Sequence, residues 1–173
     1  MHTAFIGLGS NLGDSLQILQ RAWASLSEHS AIELGVLASP YLSEPMDMES
    51  ENWFVNSTGR LRTDLSPVEL LAVLHETENR YGRKRLLNDS GYLDRPIDLD
   101  LLLYDDLVAN GADVPIIPHP RMHERLFVLV PLDEIAPDYH HPVMGRSIRE
   151  LLTDLRKREG QPEVRRIKWE EIL

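Results

Sequence analysis

Two aspartates one residue apart, Asp98 and Asp100, stand in an otherwise apolar run that continues through Leu101, Leu102 and Leu103 to Tyr104. In a strand, alternate side chains share a face. The two carboxylates would then point the same way, with Cα atoms about 6.5–7 Å apart, while Leu99, Leu101 and Leu103 turn into a core. Like charges so placed repel each other, so a cation is needed to hold them together. Hard divalent ions take oxygen ligands, and magnesium in particular is held by one or two carboxylates together with substrate phosphates. The pair could hold one ion between them or bridge two; the plainer alternative is an edge strand with both aspartates in water. Arg83, Arg85 and Arg95 flank the pair in sequence. Arginines beside a carboxylate-held metal stabilise the charge of a transferring phosphoryl group. Arg121 and Arg125 form a second basic group, and Arg80 reads as a cation at a helix C-terminus.

Other side chains offer weaker signals. His119 and His123 have the four-residue spacing of a zinc pair, but Pro118 and Pro120 bracket His119 and oppose a helix there. His140 and His141 read as loop surface. Phe54 and Asn56 would share one face of a strand, where a ring and an amide could stack on and hydrogen-bond a flat heterocycle; alternatively Phe54 is plain core. Glu78 borders the apolar face of a helix and needs a partner there. That partner is an arginine in a buried ion pair, or Glu78 orients a site arginine or a substrate amine.

Secondary-structure elements must bring these groups together. Residues 3–9 read as a strand, followed by a helix over 14–28 that Asp14 can cap and whose stripe is Leu16, Leu19, Trp23 and Leu26. Strands are expected over 32–42 and 53–63, with an acidic loop between them. Ser66, Pro67 and Glu69 give a capping box with proline at the first helical position, and Gly82 marks the stop. A strand is expected over 97–104 and a short one over 126–130, bounded by prolines. Ser147 and Glu150 form a second capping box, for a helix to about 157. The remaining tail reads as a last strand or a helical turn. Strands close in sequence would pair antiparallel, which gives an α+β sandwich of ferredoxin-like type with helices packed on a largely antiparallel sheet.

No repeat, linker or low-complexity tract interrupts the 173 residues, so a single domain over 1–173 is expected. The absence of cysteine removes disulfides and thiolate metal sites. A net charge of −10 opposes a nucleic-acid-coating role. No basic leader and no run of about 18 apolar residues is present, so neither a signal peptide nor a membrane span is expected. A cytoplasmic monomer is the resulting expectation.

Taken together, these stretches resemble the 6-hydroxymethyl-7,8-dihydropterin pyrophosphokinase family over about residues 3–143. The resemblance is carried by GLGSNLGD from Gly7, the E-x-x-x-G-R-x-R run from Glu78 to Arg85, RPIDLDLLLY from Arg95, and IPHPRMHERLFVLVPLDEIAPDYHHP from Ile117. It implies transfer of the β,γ-pyrophosphoryl unit of ATP to the pterin hydroxymethyl oxygen with release of AMP, a step of folate biosynthesis. It also implies that Asp98 and Asp100 hold two magnesium ions, and that Arg83 and Arg95 act on the phosphates in or beside a mobile loop. Glu78, Arg85, Leu101, Ile116, His119 and Arg125 fall in the nucleotide site. Ser43, Glu44, Met46, Phe54, Asn56 and Phe127 fall in the pterin pocket, with Phe54 and Phe127 sandwiching the ring and Gly9 allowing close approach.

The chain departs from the pattern between Arg85 and Arg95, where some members carry a tryptophan and Tyr92 stands here. It departs again at Pro120 and Arg121, where some members have an aromatic and an acid. The 86–94 loop, with Asn88, Asp89, Ser90 and Gly91 in a row, is expected to be mobile and to close over the triphosphate. Beyond about 145 the tail carries no diagnostic residue. A metal-dependent phosphohydrolase or nuclease, and a nucleotide-sensing module without turnover, are the competing readings of the same aspartates.

Overall fold

A computed structural model describes residues 1–46, 50–83 and 94–169. In chain order the elements are β1 (His2–Ser10), α1 (Ser15–Ser25), β2 (Ile32–Leu37), β3 (Tyr41–Ser43), β4 (Phe54–Thr63), α2 (Pro67–Arg80), β5 (Asp98–Tyr104), α3 (Leu126–Ile135), α4 (Ile148–Arg156) and β6 (Val164–Arg166). The sheet order is β5-β1-β4-β3-β6, with β2 also on β4, and every strand pair is antiparallel. The succession β1-α1-β2-β4-α2-β5 with β1 and β4 at the centre is the ferredoxin-like arrangement. The central pairs β1–β4 and β1–β5 join segments far apart in sequence, so proximity along the chain is not what sets the antiparallel sheet.

Helix starts follow the expected capping. The Asp14 carboxylate accepts the Gln17 N–H at 3.1 Å, and both Ser66 and Ser147 head complete capping boxes. Alternation along the strands sends side chains into two cores. Ala4, Ile6 and Leu8 of β1 and Leu99 and Leu101 of β5 pack beneath α1 and α2 with Leu19, Trp23, Leu70 and Leu74. Phe5, Leu102 and Leu103 face the other way and pack beneath α3 and α4. The helices therefore cover both faces of the sheet.

Four expectations need correction. Residues 32–42 are not one strand: β2 ends at Leu37 and β3 begins at Tyr41, with Pro40, which has no N–H to give a ladder, in the break. Residues 126–130 are helical, and the helix runs on through Pro131. β-branched valines between bounding prolines favour a short strand locally, but Leu126, Leu129 and Leu132 recur at helical spacing and are buried against the sheet and α4. That burial outweighs a cost of about 3 kcal/mol for proline inside a helix. Leu103 does not share a face with Leu99 and Leu101: the β1–β5 register shifts between Phe5 and Ile6, so Leu102 and Leu103 both enter the α3–α4 core. His141 is buried rather than on the loop surface. Its Nδ1 accepts the N–H groups of Val143 and Met144, and its ring lies edge-on to His123 at 5.9 Å. The tail forms strand β6 against β3.

Candidate active site

Register alone assembles the floor of a cleft. On one side of β1, Gly9 lies opposite Asn56 and Gly7 opposite Thr58; on the other, Gly9 lies opposite Asp98 and Gly7 opposite Asp100. The two carboxylates of β5 and the polar groups of β4 thus stand on one face of the sheet, separated by two residues with no side chain. A Cβ on Gly9 would come 3.2 Å from Asn56 Oδ1, and one on Gly7 3.3 Å from the Leu102 side chain. The cleft above this floor has a volume of about 370 Å³.

Its walls bring most of the expected residues together. Gly9, Ser43, Glu44, Met46, Phe54, Asn56, Arg83, Arg95, Asp98, Asp100, His119, Arg125 and Phe127 all line it. At one end, Asn56 Nδ2 donates to Ser43 Oγ at 2.8 Å, both residues being buried. Phe54 lies beneath the Arg95 guanidinium at 5.7 Å from its ring centre, and Phe127 beneath that of Arg125 at 5.6 Å. At the other end, Arg83 Nη1 donates to Asp98, to the Ile97 carbonyl at 3.4 Å, and to Glu78 at 2.6 Å. Arg95 Nη1 is 3.1 Å from the second Asp98 oxygen. Burial works against the Arg83 cation, but Asp98, Glu78 and Asp100 outweigh it and raise its pKa.

Glu78 is fully buried and does not line the cleft. It stands behind the cleft wall and accepts both the Arg83 guanidinium and the Leu99 N–H at 2.8 Å, tying α2 to β5 one residue past Asp98. It is at once a buried ion pair and the support of a cleft arginine. The Leu101 side chain is buried on the opposite face, as strand alternation requires, and Ile116 is exposed outside the cleft lining. Arg85, Tyr92 and residues 86–93 of the expected closing loop lie outside the described residues. The end of that loop is described: Asp94 accepts Asn11 Nδ2 (2.7 Å), Ser50 Oγ (2.7 Å) and Asn52 Nδ2 (2.8 Å), and the Arg95 N–H donates to Asn11 Oδ1 at 2.8 Å.

Several lining residues were not assigned to the site beforehand: Gly7, Leu8, Ser57, Thr58, Leu102 and Val128, while Pro120 and Arg121 were noted only as a departure from the family pattern and, for Arg121, as part of a basic group. Gly7 and Thr58 were within reach, since a period of two carries the face on from Gly9 and Asn56. Leu102 follows Asp100 in the same way, while Val128 required knowing that α3 is a helix.

The charge balance shows what the site could hold. Asp100 is pushed up to about 7 by burial, then by the charges of Asp98 and Glu78, with Arg125 and Arg95 opposing. Burial is the larger cause and the neighbouring carboxylates add to it, and a hard cation on Asp98 and Asp100 would favour the charged form against both. Among the described residues no group of three or more His, Cys, Asp and Glu side chains is placed to hold a metal alone. A cation on this pair would draw its further oxygens from water or from a ligand. His119 is pushed down to about 4, by burial first and the Arg125 charge second. Its Nδ1 accepts the Arg121 N–H at 3.3 Å, which assigns the ring proton to Nε2.

The model of the 7,8-dihydro-6-hydroxymethylpterin-pyrophosphokinase (HPPK) family matches residues 5–137. The chain belongs to this family. It is 40% identical over 133 residues to the 2-amino-4-hydroxy-6-hydroxymethyldihydropteridine pyrophosphokinase of Bacillus subtilis, covering 77% of each chain. It is also 40% identical to the protein of that name from Haemophilus influenzae, covering 88% of this chain and 92% of the other. Among solved structures, an HPPK-DHPS in complex with substrates superposes with a TM-score of 0.71 at 14% identity, over 88% of this chain and 43% of that one. Wild-type Plasmodium falciparum HPPK-DHPS gives 0.71 at 15% identity, over 88% and 44%. This chain thus spans under half of those longer chains, and the likeness to them is one of fold. No helix among the described residues is long and apolar enough to cross a membrane.

Proposed function

We propose that this HPPK-family chain transfers pyrophosphate from ATP to 6-hydroxymethyl-7,8-dihydropterin in a magnesium-dependent reaction that yields AMP and the pterin diphosphate. One observation supports the reading: across β1, Asn56 stands on one side and the acidic pair of β5 on the other, in a cleft that Ser43, Phe54 and Phe127 also line, and these four are read here as the slot for a flat ring. Acceptor and triphosphate would meet over Gly7 and Gly9.

Within that reading, Phe54 and Phe127 stack on the two faces of the pterin, and Asn56 and Ser43 hydrogen-bond its edge. Asp98 and Asp100 would hold two magnesium ions, which when bound supply charge neutralisation along the triphosphate. Arg83, Arg95 and Arg125 take up the charge that grows on the phosphoryl oxygens, and His119, neutral near pH 7, donates from Nε2 to a phosphate oxygen. Glu78 fixes Arg83, so that guanidinium needs little reorganisation when the phosphates arrive. The protein's contribution is chiefly position and charge, as phosphoryl transfer demands. Closure of the cleft would keep water from competing with the pterin hydroxyl.

Product analysis with single omissions tests the proposal. AMP should form only when ATP, magnesium and the reduced hydroxymethyl-pterin are all present. ADP or inorganic phosphate formed without pterin would overturn it in favour of a hydrolase.

A further inference from the structure

The segment that ends the described chain lies beyond the span matched by the family model, yet it is built into a wall of the cleft. β3 has three residues and leads from Ser43 directly into Glu44 and Met46, all of which line the cleft. One edge of β3 is paired with β4. The other is covered by β6, with Tyr41 opposite Arg166 and Ser43 opposite Val164. The pairing continues past the strand: the Glu44 N–H donates to the Glu163 carbonyl, and the Glu163 N–H to the Glu44 carboxylate, each at 3.4 Å. Toward the other end, the Ile167 N–H donates to the Pro40 carbonyl and Trp169 Nε1 to the Ala38 carbonyl, both at 2.9 Å.

Side chains extend the tie to the opposite wall. Arg166 donates to Ser39 Oγ from Nε at 2.9 Å and from Nη2 at 2.6 Å, and reaches Glu134 of α3 at 3.5 Å. Glu134 in turn accepts the Ser39 N–H (3.0 Å), the Ser39 hydroxyl (2.9 Å) and the Tyr41 hydroxyl (2.6 Å). α3 also carries Phe127, about two helical turns before Glu134. One network therefore joins the tail, the entry to β3 and the helix that presents the second aromatic face.

A three-residue strand held on one edge is weakly registered, and a slip of one residue would turn Ser43 away from Asn56. We propose that residues 163–169 position the pterin half of the cleft, with Arg166 as the positioning residue that fixes the register of β3 and the spacing between β3 and α3. This rests on the pyrophosphokinase reading above. It makes the tail a determinant of acceptor affinity rather than of triphosphate binding.

The test is equilibrium binding of the hydroxymethyl-pterin to the full chain, with magnesium and a non-transferable ATP analogue present, for wild type, Arg166→Ala, Arg166→Lys and Trp169→Phe. Steady-state constants are measured alongside. Arg166→Ala should weaken pterin binding roughly three- to tenfold, with the ATP KM and kcat at saturating pterin each changed less than about twofold. Arg166→Lys should recover part of the loss, and Trp169→Phe, which removes the indole N–H and shrinks the ring, should show a smaller loss in the same sense. Unchanged pterin affinity in Arg166→Ala overturns the proposal. So does an equal loss for pterin and ATP with a fall in melting temperature and no recovery by lysine. A wild type that binds pterin but makes no AMP refutes the functional reading alone, and the ratio of pterin affinities still decides this one. A wild type that binds no pterin refutes both.

Discussion

Replacing Glu78 tests how the acidic pair is supported. The residue is fully buried, and one oxygen accepts both Arg83 Nη1 at 2.6 Å and the Leu99 N–H at 2.8 Å. Alanine there would strip the Leu99 N–H of this acceptor and leave the Arg83 guanidinium, 17% exposed, leaning on Asp98. Removing one partner of a buried pair costs about 3–5 kcal/mol, largely because the other charge stays buried. Each kcal/mol lowers the melting temperature of a domain this size by about 2–4 °C, so Glu78→Ala should melt about 6–20 °C below wild type. Glu78→Gln keeps the volume and an oxygen for the Leu99 N–H, and gives up a charge-assisted bond of about 1.5–3 kcal/mol. It should melt between wild type and alanine. With that charge gone Arg83 turns wholly to Asp98, so turnover should fall in Glu78→Gln even where the protein is fully folded. Thermal and urea unfolding with AMP release on the same samples check both parts. Glu78→Ala melting within about 2 °C of wild type would refute the reasoning, because a buried pair could not then be holding α2 to β5.

Asp98→Ala and Asp100→Ala should each remove nearly all turnover and keep the fold, since each also relieves the like-charge repulsion that adds to burial in raising Asp100; near-normal rates for both at limiting magnesium would contradict the metal assignment. Phe54→Ala should weaken pterin binding several-fold and ATP binding little, stacking being worth about 0.5–1.5 kcal/mol beyond area burial. Equal losses for both ligands in a binding assay would make Phe54 a core residue. Glu134 titrates below its ordinary value of 4.5: burial opposes its charge, but hydrogen bonds from Tyr41 and Ser39 and the Arg166 charge prevail. A carboxyl depressed on folding adds stability that is present above its unfolded pKa and lost as pH falls through its folded one. The melting-temperature gap between wild type and Glu134→Gln should accordingly be full near pH 7 and shrink below 4.5; a constant gap down to pH 3 would contradict this.

The parts legible in the sequence were those governed by local rules. Asp14, Ser66 and Ser147 cap helices because their side chains reach N–H groups within three residues. Asp98 and Asp100 share a face because a strand repeats every two residues. What was missed depends on tertiary partners. Nothing near Leu102 announces the register shift that sends Leu103 to the other core, since the shift belongs to the pairing of β1 with β5. Residues 126–130 carry strand-like valines and a following proline, and become helical because Leu126, Leu129 and Leu132 find a core between β4 and α4. Glu78 could be read as needing a partner, but only the fold names Arg83 and the Leu99 N–H. The tail carries no chemical signature, and its place beside Ser43 and Glu44 follows from strand pairing and from the hydrogen bonds of Arg166 and Trp169 to the segment before β3. His141 is buried by two backbone N–H groups and the edge of His123, none of which its sequence neighbours foretell.

The claim that the slot and the acidic pair act together on one phosphoryl group is tested most directly by following ATP labelled at its γ-phosphorus through a single turnover with magnesium and the reduced hydroxymethyl-pterin. The account predicts that the label leaves ATP only when pterin is present and appears in the pterin diphosphate, with unlabelled AMP as the other product. Label recovered as inorganic phosphate or pyrophosphate, at a rate indifferent to pterin, would contradict it.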